Sequence, residues 1–296
     1  MDVFKTKPGE AISIMITERN YVDATQMKCP YVMSYDGERT TTYYAVCPAC
    51  DNPIVLVGLF RSQEESRARR PYGRHVPFDV PELCQYDEDA YLSCPYANPD
   101  RRRSGRRRLP KSRTGLGLYR VMRAEFDRVV QAWEAWSGLH LGAGAAEEAL
   151  CRWAGDEVWR YYEATYQNLP QTLFYGAPAR NLVKMYVVKT GQLHTALSNI
   201  PEVRLTPTRS AQYSQVDKTI RGFLSLDFHL ANHKYHTSGV QLTESFDLRV
   251  TCQNRRTCSS LTLETDPNWL NRACKDLNGR RDENLLDIAR RLLTES

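Results

Sequence analysis

Residues 40–99 read TTTYYAVCPACDNPIVLVGLFRSQEESRARRPYGRHVPFDVPELCQYDEDAYLSCPYANP. Two runs rich in β-branched and aromatic residues, Thr40–Val46 and Ile54–Phe60, flank Cys47-Pro48-Ala49-Cys50. Such runs favour extended, half-buried backbone, so the spacing predicts strand, tight turn, strand. A turn of that kind aims both sulfurs of a Cys-x-x-Cys pair inward. Two thiolates so placed suit one soft, tetrahedral ion, and zinc prefers N/S ligation. The remaining ligands must come from elsewhere in the chain. His75 and Cys94 are the expected pair, and Cys84 and Cys29 compete with Cys94 for the fourth position. The stretch is expected to form a zinc ribbon with a structural Zn2+, because four protein ligands leave no place for a reacting water.

The same region carries a resemblance. Cys47-Pro-Ala-Cys50, an Arg-rich stretch, Tyr72-Gly73-Arg74-His75 and Cys94-Pro95-Tyr96 follow one another. Over about residues 44–97 this order resembles the N-terminal zinc-ribbon module of CoiA-like competence proteins and related bacterial mobile-element proteins. The gap between His75 and Cys94 is longer here than in that pattern. The resemblance implies a bacterial DNA-handling context and the ligand set Cys47, Cys50, His75 and Cys94, and nothing beyond the ribbon.

After the ribbon comes a change of composition. Arg101, Arg102, Arg103, Arg106, Arg107, Arg108, Lys111 and Arg113 crowd into residues 100–115, with Gly105 and Pro110 as breakers. Net charge is +5 over 296 residues, and without this run the remainder is slightly acidic. The positive charge is therefore one local feature. A segment so dense in like charge is expected to be a linker, and a basic arm that neutralises phosphates without reading sequence. Nucleic acid is thus the expected partner, DNA ahead of RNA, and a protein partner is a further expectation.

The expected fold class is α+β: an N-terminal β region with the ribbon (1–99), the basic linker (100–115), a helical pair (116–168) and a C-terminal antiparallel sheet with helices (169–296). Leu118, Met122, Phe126, Val129, Val130, Trp133 and Trp136 recur at helical spacing, predicting one helix over Leu116–Trp136 and a second over about Ala145–Gln167. Leu224–Leu230 and Phe246–Val250 alternate apolar and polar, as strands with one wet face do. Ala231–Gly239 reads as a hairpin loop. Asp266-Pro267 and Asp282 are helix-start signals.

Nine cysteines with close spacing and no secretory leader point to metal ligation in a reducing cytoplasm ahead of disulfides. No apolar run is long enough to span a membrane, and none is expected to be met. Phosphate-loop, dinucleotide, zinc-protease and deaminase patterns are all missing, so no catalytic residue is assigned. The expected function is that of a zinc-stabilised nucleic-acid-binding accessory protein of a bacterial mobile element, DNA-uptake or defence system. Two alternatives stand beside it. One is a metal-dependent nuclease using Asp227, His229 and His233. The other is a protein-interaction subunit.

Overall fold

The computed structural model describes residues 1–34, 41–60, 70–99, 105–253, 256–275 and 279–294. Its secondary structure is mixed α+β, with antiparallel sheets and helices interspersed along the chain. The chain folds into two compact units that interleave in sequence. The first takes Met1–Val121, Trp159–Tyr166 and Tyr235–Thr243, and the second takes Met122–Val158, Gln167–Lys234 and Glu244–Ser296.

The first unit opens with β1 (Val3–Phe4) and β2 (Ile14–Met15), paired antiparallel, and α1 (Glu18–Thr25). Ile12, Ile14 and Ile16 alternate as a strand would, yet only Ile14–Met15 pairs, because Thr17 caps α1 by accepting from the Asn20 amide. β3 (Val32–Ser34), β4 (Thr41–Val46), β5 (Pro53–Val57) and β6 (Tyr72–His75) form an antiparallel sheet in chain order. The β4–β5 register sets Val46 opposite Pro53, so the cysteine turn closes this hairpin. α2 (Glu88–Leu92) and α3 (Arg113–Ala124) follow. One face of the sheet packs Ala45, Ile54 and Leu56 with Phe4 and Tyr21, all buried. The other packs Tyr44, Val46, Val76, Val80, Leu83 and Cys84.

The described part of the basic segment is folded into this unit. Arg107 bridges Tyr161, the Arg108 amide donates to the Arg160 carbonyl, and the Tyr162 amide donates to the Arg106 carbonyl. Arg108 is 4% exposed. Its guanidinium donates to the carbonyls of Trp159, Tyr161, Tyr162 and Ala164, closing a turn that has no ladder of its own. A free tether is therefore not what residues 105–113 form. Arg101, Arg102 and Arg103 lie outside the described residues.

Where the chain passes into the second unit, at Met122, the expected single helix is two, α3 and α4 (Phe126–Ser137), broken at Glu125, whose backbone is non-helical. The apolar spacing runs on across the break, which is why the sequence reads as one element. Gly138, left-handed at φ +72°, ends α4. β7 (Leu139–His140) leads to α5 (Ala143–Gly155), shorter than expected; short turns replace its second half. The main helix partner of both α4 and α5 is the last helix, α8 (Glu283–Leu292).

Two antiparallel sheets complete this half. β8 (Arg180–Asn181), β9 (Tyr186–Val188), α6 (Gln192–Ser198), β10 (Val203–Pro207), β11 (Tyr213–Lys218), β12 (Leu226–Ser238), β13 (Gln241–Cys252), β14 (Arg256–Glu264) and α7 (Trp269–Lys275) precede α8. The sheet orders are β10-β11-β9-β7 and β14-β13-β12-β8. Leu226, Phe228 and Leu230 of β12 and Phe246, Leu248 and Val250 of β13 are buried, as their alternation predicts. Trp133, with centroids 4.4 Å from Phe174 and 6.2 Å from Phe228, anchors the core. The expected hairpin loop is instead strand: β12 continues to Ser238.

Candidate metal centre

Cys47 leaves β4 with its amide held by the Asn52 carbonyl, and the Asp51 amide returns to the Cys47 carbonyl. Asp51 sits at φ +59°, the left-handed region that Asp tolerates better than most residues, and this bend turns the chain into β5. Asn52 then clamps the other side of the site. Its side-chain Nδ2 donates to the Asp87 carbonyl at 2.9 Å, and its Oδ1 accepts from the Asp87 amide at 2.6 Å. Asp87 in turn caps α2. The helix delivers Cys94 two residues past its end, while β6, paired Ile54 to His75, delivers the imidazole.

Cys47, Cys50, His75 and Cys94 converge, with one ligand atom of each lying within 4.8 Å of the others. Cys47 Sγ and Cys94 Sγ are 3.7 Å apart, Cys50 Sγ and His75 Nε2 3.3 Å, and Cys94 Sγ and His75 Nε2 3.7 Å. A tetrahedral ion with metal–sulfur bonds of about 2.3 Å needs sulfur–sulfur edges of about 3.8 Å. The donor set thus fits a metal ion such as zinc, and the sulfur separation is far too long for a disulfide.

The electrostatics point the same way. Burial opposes ionisation at Cys47, yet the Cys50 and Cys94 thiols and the His75 ring outweigh it and hold that thiol well below its ordinary range. Burial first, then the neighbouring Cys47, pushes Cys50 and Cys94 well above theirs. A central dication reverses this by favouring all of the thiolates together. The alternative ligands are elsewhere. Cys84 is buried in the opposite cluster, its thiol pushed up to about 12 chiefly by burial, and Cys29 is exposed.

Behind the turn lies a group that sequence reasoning missed. Lys5 is fully buried and pairs with Asp51 Oδ1, and Thr114 Oγ1 donates to Asp51 Oδ2 at 2.6 Å. The Lys5 ammonium also sits 4.7 Å from the Tyr166 ring centroid. A lysine in a polar N-terminal segment reads as solvated. The only signal was its place between Phe4 and Thr6 in a short strand-like run.

The other expected residues divide. Arg106 and Arg107 are exposed and tethered, Arg106 to Asp89 at 2.5 Å and Arg107 to the Tyr161 hydroxyl at 2.6 Å. Lys111 and Arg113 are exposed, and Arg108 is spent inside the fold. Asp227, His229 and His233 do not converge: Asn232, at φ +48°, interrupts the alternation of β12, and the His233 ring stacks on that of buried Phe246 with centroids 4.2 Å apart. At about 3.3 Å of rise per residue, His229 and His233 stand roughly 13 Å apart along the strand. Asp227 accepts from Ser225, and His233 pairs instead with buried Glu244. Among the described residues, the Cys/His cluster is the one group that can hold an ion. No helix of the described residues is long and apolar enough to cross a membrane. Protein-family models, curated proteins and solved structures contain no match to this chain.

Proposed function

We propose that the chain is a zinc-stabilised nucleic-acid-binding protein. The observation that carries the proposal is the convergence of four protein donors within 4.8 Å of one another, two of them on a buried turn. Four protein ligands close the coordination sphere, so the ion serves the fold and not a reaction. In the sequence that follows the cluster, residues 101–113 carry eight basic residues and no acidic one. Arg106, Arg107, Lys111 and Arg113 are on the surface, where side chains of this kind meet phosphates. The resemblance to CoiA-like modules adds the context: an accessory factor of a bacterial mobile element, DNA-uptake or defence system, acting in the cytoplasm on DNA.

Elemental analysis of the purified chain tests the first half, with one zinc per chain as the expected result. Binding to random-sequence DNA tests the second. Affinity is expected to fall steeply with salt, at about 0.9 log units per phosphate contact for each tenfold rise. Replacing Arg101, Arg102, Arg103, Arg106, Arg107, Lys111 and Arg113 with Ser, while leaving buried Arg108 in place, is expected to abolish binding with zinc retained. A folded, metal-free protein overturns the zinc reading. Full DNA affinity in the serine variant overturns the role given to the arm.

A further inference from the structure

A cleft of about 370 Å³ opens in the first unit next to His75. One wall is β6, with Tyr72 and Arg74, together with Tyr91 and Tyr96 from either side of Cys94. The opposite wall is the tip of the β12–β13 hairpin, with Val240 and Leu242. Its size is at the lower end of the range for small-ligand pockets, roughly 300–1,000 Å³.

Its chemistry is selective. No Asp or Glu lines it, and Arg74, which is exposed, brings a fixed positive charge. Tyr72, Tyr91 and Tyr96 are half-buried, so each offers part of a ring to the cleft. An inorganic anion would use the arginine and leave the tyrosines idle. An aromatic peptide side chain would use the tyrosines and gain nothing from the charge. A ligand that is planar, aromatic and anionic uses both, and a nucleotide has that combination. A base paired and stacked in a duplex has both faces covered by its neighbours, whereas a single strand can turn one out against the rings.

We propose that this cleft takes one unstacked nucleotide of a single-stranded nucleic acid, with the base against the tyrosines and its phosphate at Arg74. The proposal rests on the nucleic-acid reading above and names the form of the ligand. It also gives the metal a second consequence. The His75 ring lies 5.3 Å from that of Tyr91, edge to face, and Cys94 fixes the turn between Tyr91 and Tyr96. Withdrawing the ion releases two residues that shape the wall.

The test uses the zinc-loaded full chain, a labelled oligothymidylate and a hairpin duplex of equal charge, with fluorescence anisotropy at fixed salt. The single strand is expected to bind about tenfold more tightly than the duplex, the scale of one base stacked on an aromatic ring. Tyr72→Ala and Tyr96→Ala are expected to remove about that preference while duplex affinity stays within about twofold, and Tyr72→Phe to keep it. Arg74→Gln is expected to lower the salt slope by about one contact. Zinc content, measured on each variant, reports that the first unit is intact. Equal affinity of the native chain for strand and duplex overturns the cleft. So does an unchanged preference in a zinc-loaded Tyr72→Ala/Tyr96→Ala double variant. Either outcome leaves the nucleic-acid reading standing. Failure to bind both probes removes the reading and the cleft together.

Discussion

Asp51 serves two buried partners, Lys5 and Thr114, from a left-handed backbone position one residue past Cys50. Removing one member of a buried ion pair strands the other charge in a medium that cannot solvate it. Asp51→Asn keeps the backbone conformation, since Asn also tolerates it, and leaves Lys5 uncompensated. It is expected to cost about 3 kcal/mol in denaturant unfolding of the zinc-loaded protein, and Lys5→Met added to it is expected to restore part of the loss. Gly117 makes a second case. Within a helix, Gly→Ala usually stabilises by about 1 kcal/mol. A Cβ at Gly117, however, would clash with the Tyr166 hydroxyl and meet the Gly9 carbonyl at 2.9 Å. Gly117→Ala is therefore expected to lower the thermal midpoint, while Gly144→Ala, with open space around it, is expected to raise it slightly. At this scale the convergence of Cys47, Cys50, His75 and Cys94 was legible, because Cys-x-x-Cys in a strand-turn-strand frame has few other uses. Arg108 was not. An arginine within a run of arginines reads as solvated, and what buries it is a set of carbonyls from a segment some fifty residues further on.

Among the elements, α8 depends on a carboxylate from another helix. Asp127 of α4, with no exposed side-chain surface, accepts Arg281 Nε at 2.7 Å, Arg281 Nη2 at 2.8 Å and the Asp282 amide at 3.2 Å. Asp282 itself caps the helix through the amides of Asn284 and Leu285. Burial alone would raise the Asp127 pKa, but the Arg281 hydrogen bonds and the Asp282 amide outweigh it and lower the value from 3.8. A lowered folded value means that the contribution to stability is complete above the unfolded pKa and is lost as pH falls through the folded one. Asp127→Asn is thus expected to cost about 2 kcal/mol at pH 7, with the gap to the native chain closing below about pH 4. Urea titrations across that range measure it. Elements with one clear face were readable: β4, β5, the buried half of β12, α8 and its cap. The outer half of β12 was not, because His233–Ser238 shows no apolar alternation, and strand character there comes from pairing with β13. The break at Glu125 was equally hidden, since both helices present their apolar residues in phase.

On the scale of the molecule, the two units depend on different interactions. The first gathers its sheet, turn and α2 around the Cys/His cluster, and the second is built on an aromatic core of Trp133, Phe174 and Phe228. Metal ligation that orders loops is itself folding energy. Chelation is therefore expected to unfold the first unit while the second keeps its own transition. Of the five tryptophans, Trp133, Trp136, Trp153 and Trp269 belong to the second unit, so indole fluorescence should change little on chelation while far-ultraviolet dichroism falls. One transition lost in full by both probes would contradict this.

The order in which the chain is joined has a last consequence. Trp159–Tyr166 and Tyr235–Thr243 are integral to a unit that begins at Met1. As the polypeptide emerges from the ribosome, Cys94 is presented long before the strand tip that completes its surroundings. The nascent amino-terminal portion is incomplete, its thiols open to stray oxidants and competing ions, until the segment ending at Thr243 has been translated. Truncations ending near Val121 should accordingly be recovered as insoluble, zinc-poor material, whereas the 296-residue chain is expected to be recovered soluble with zinc bound.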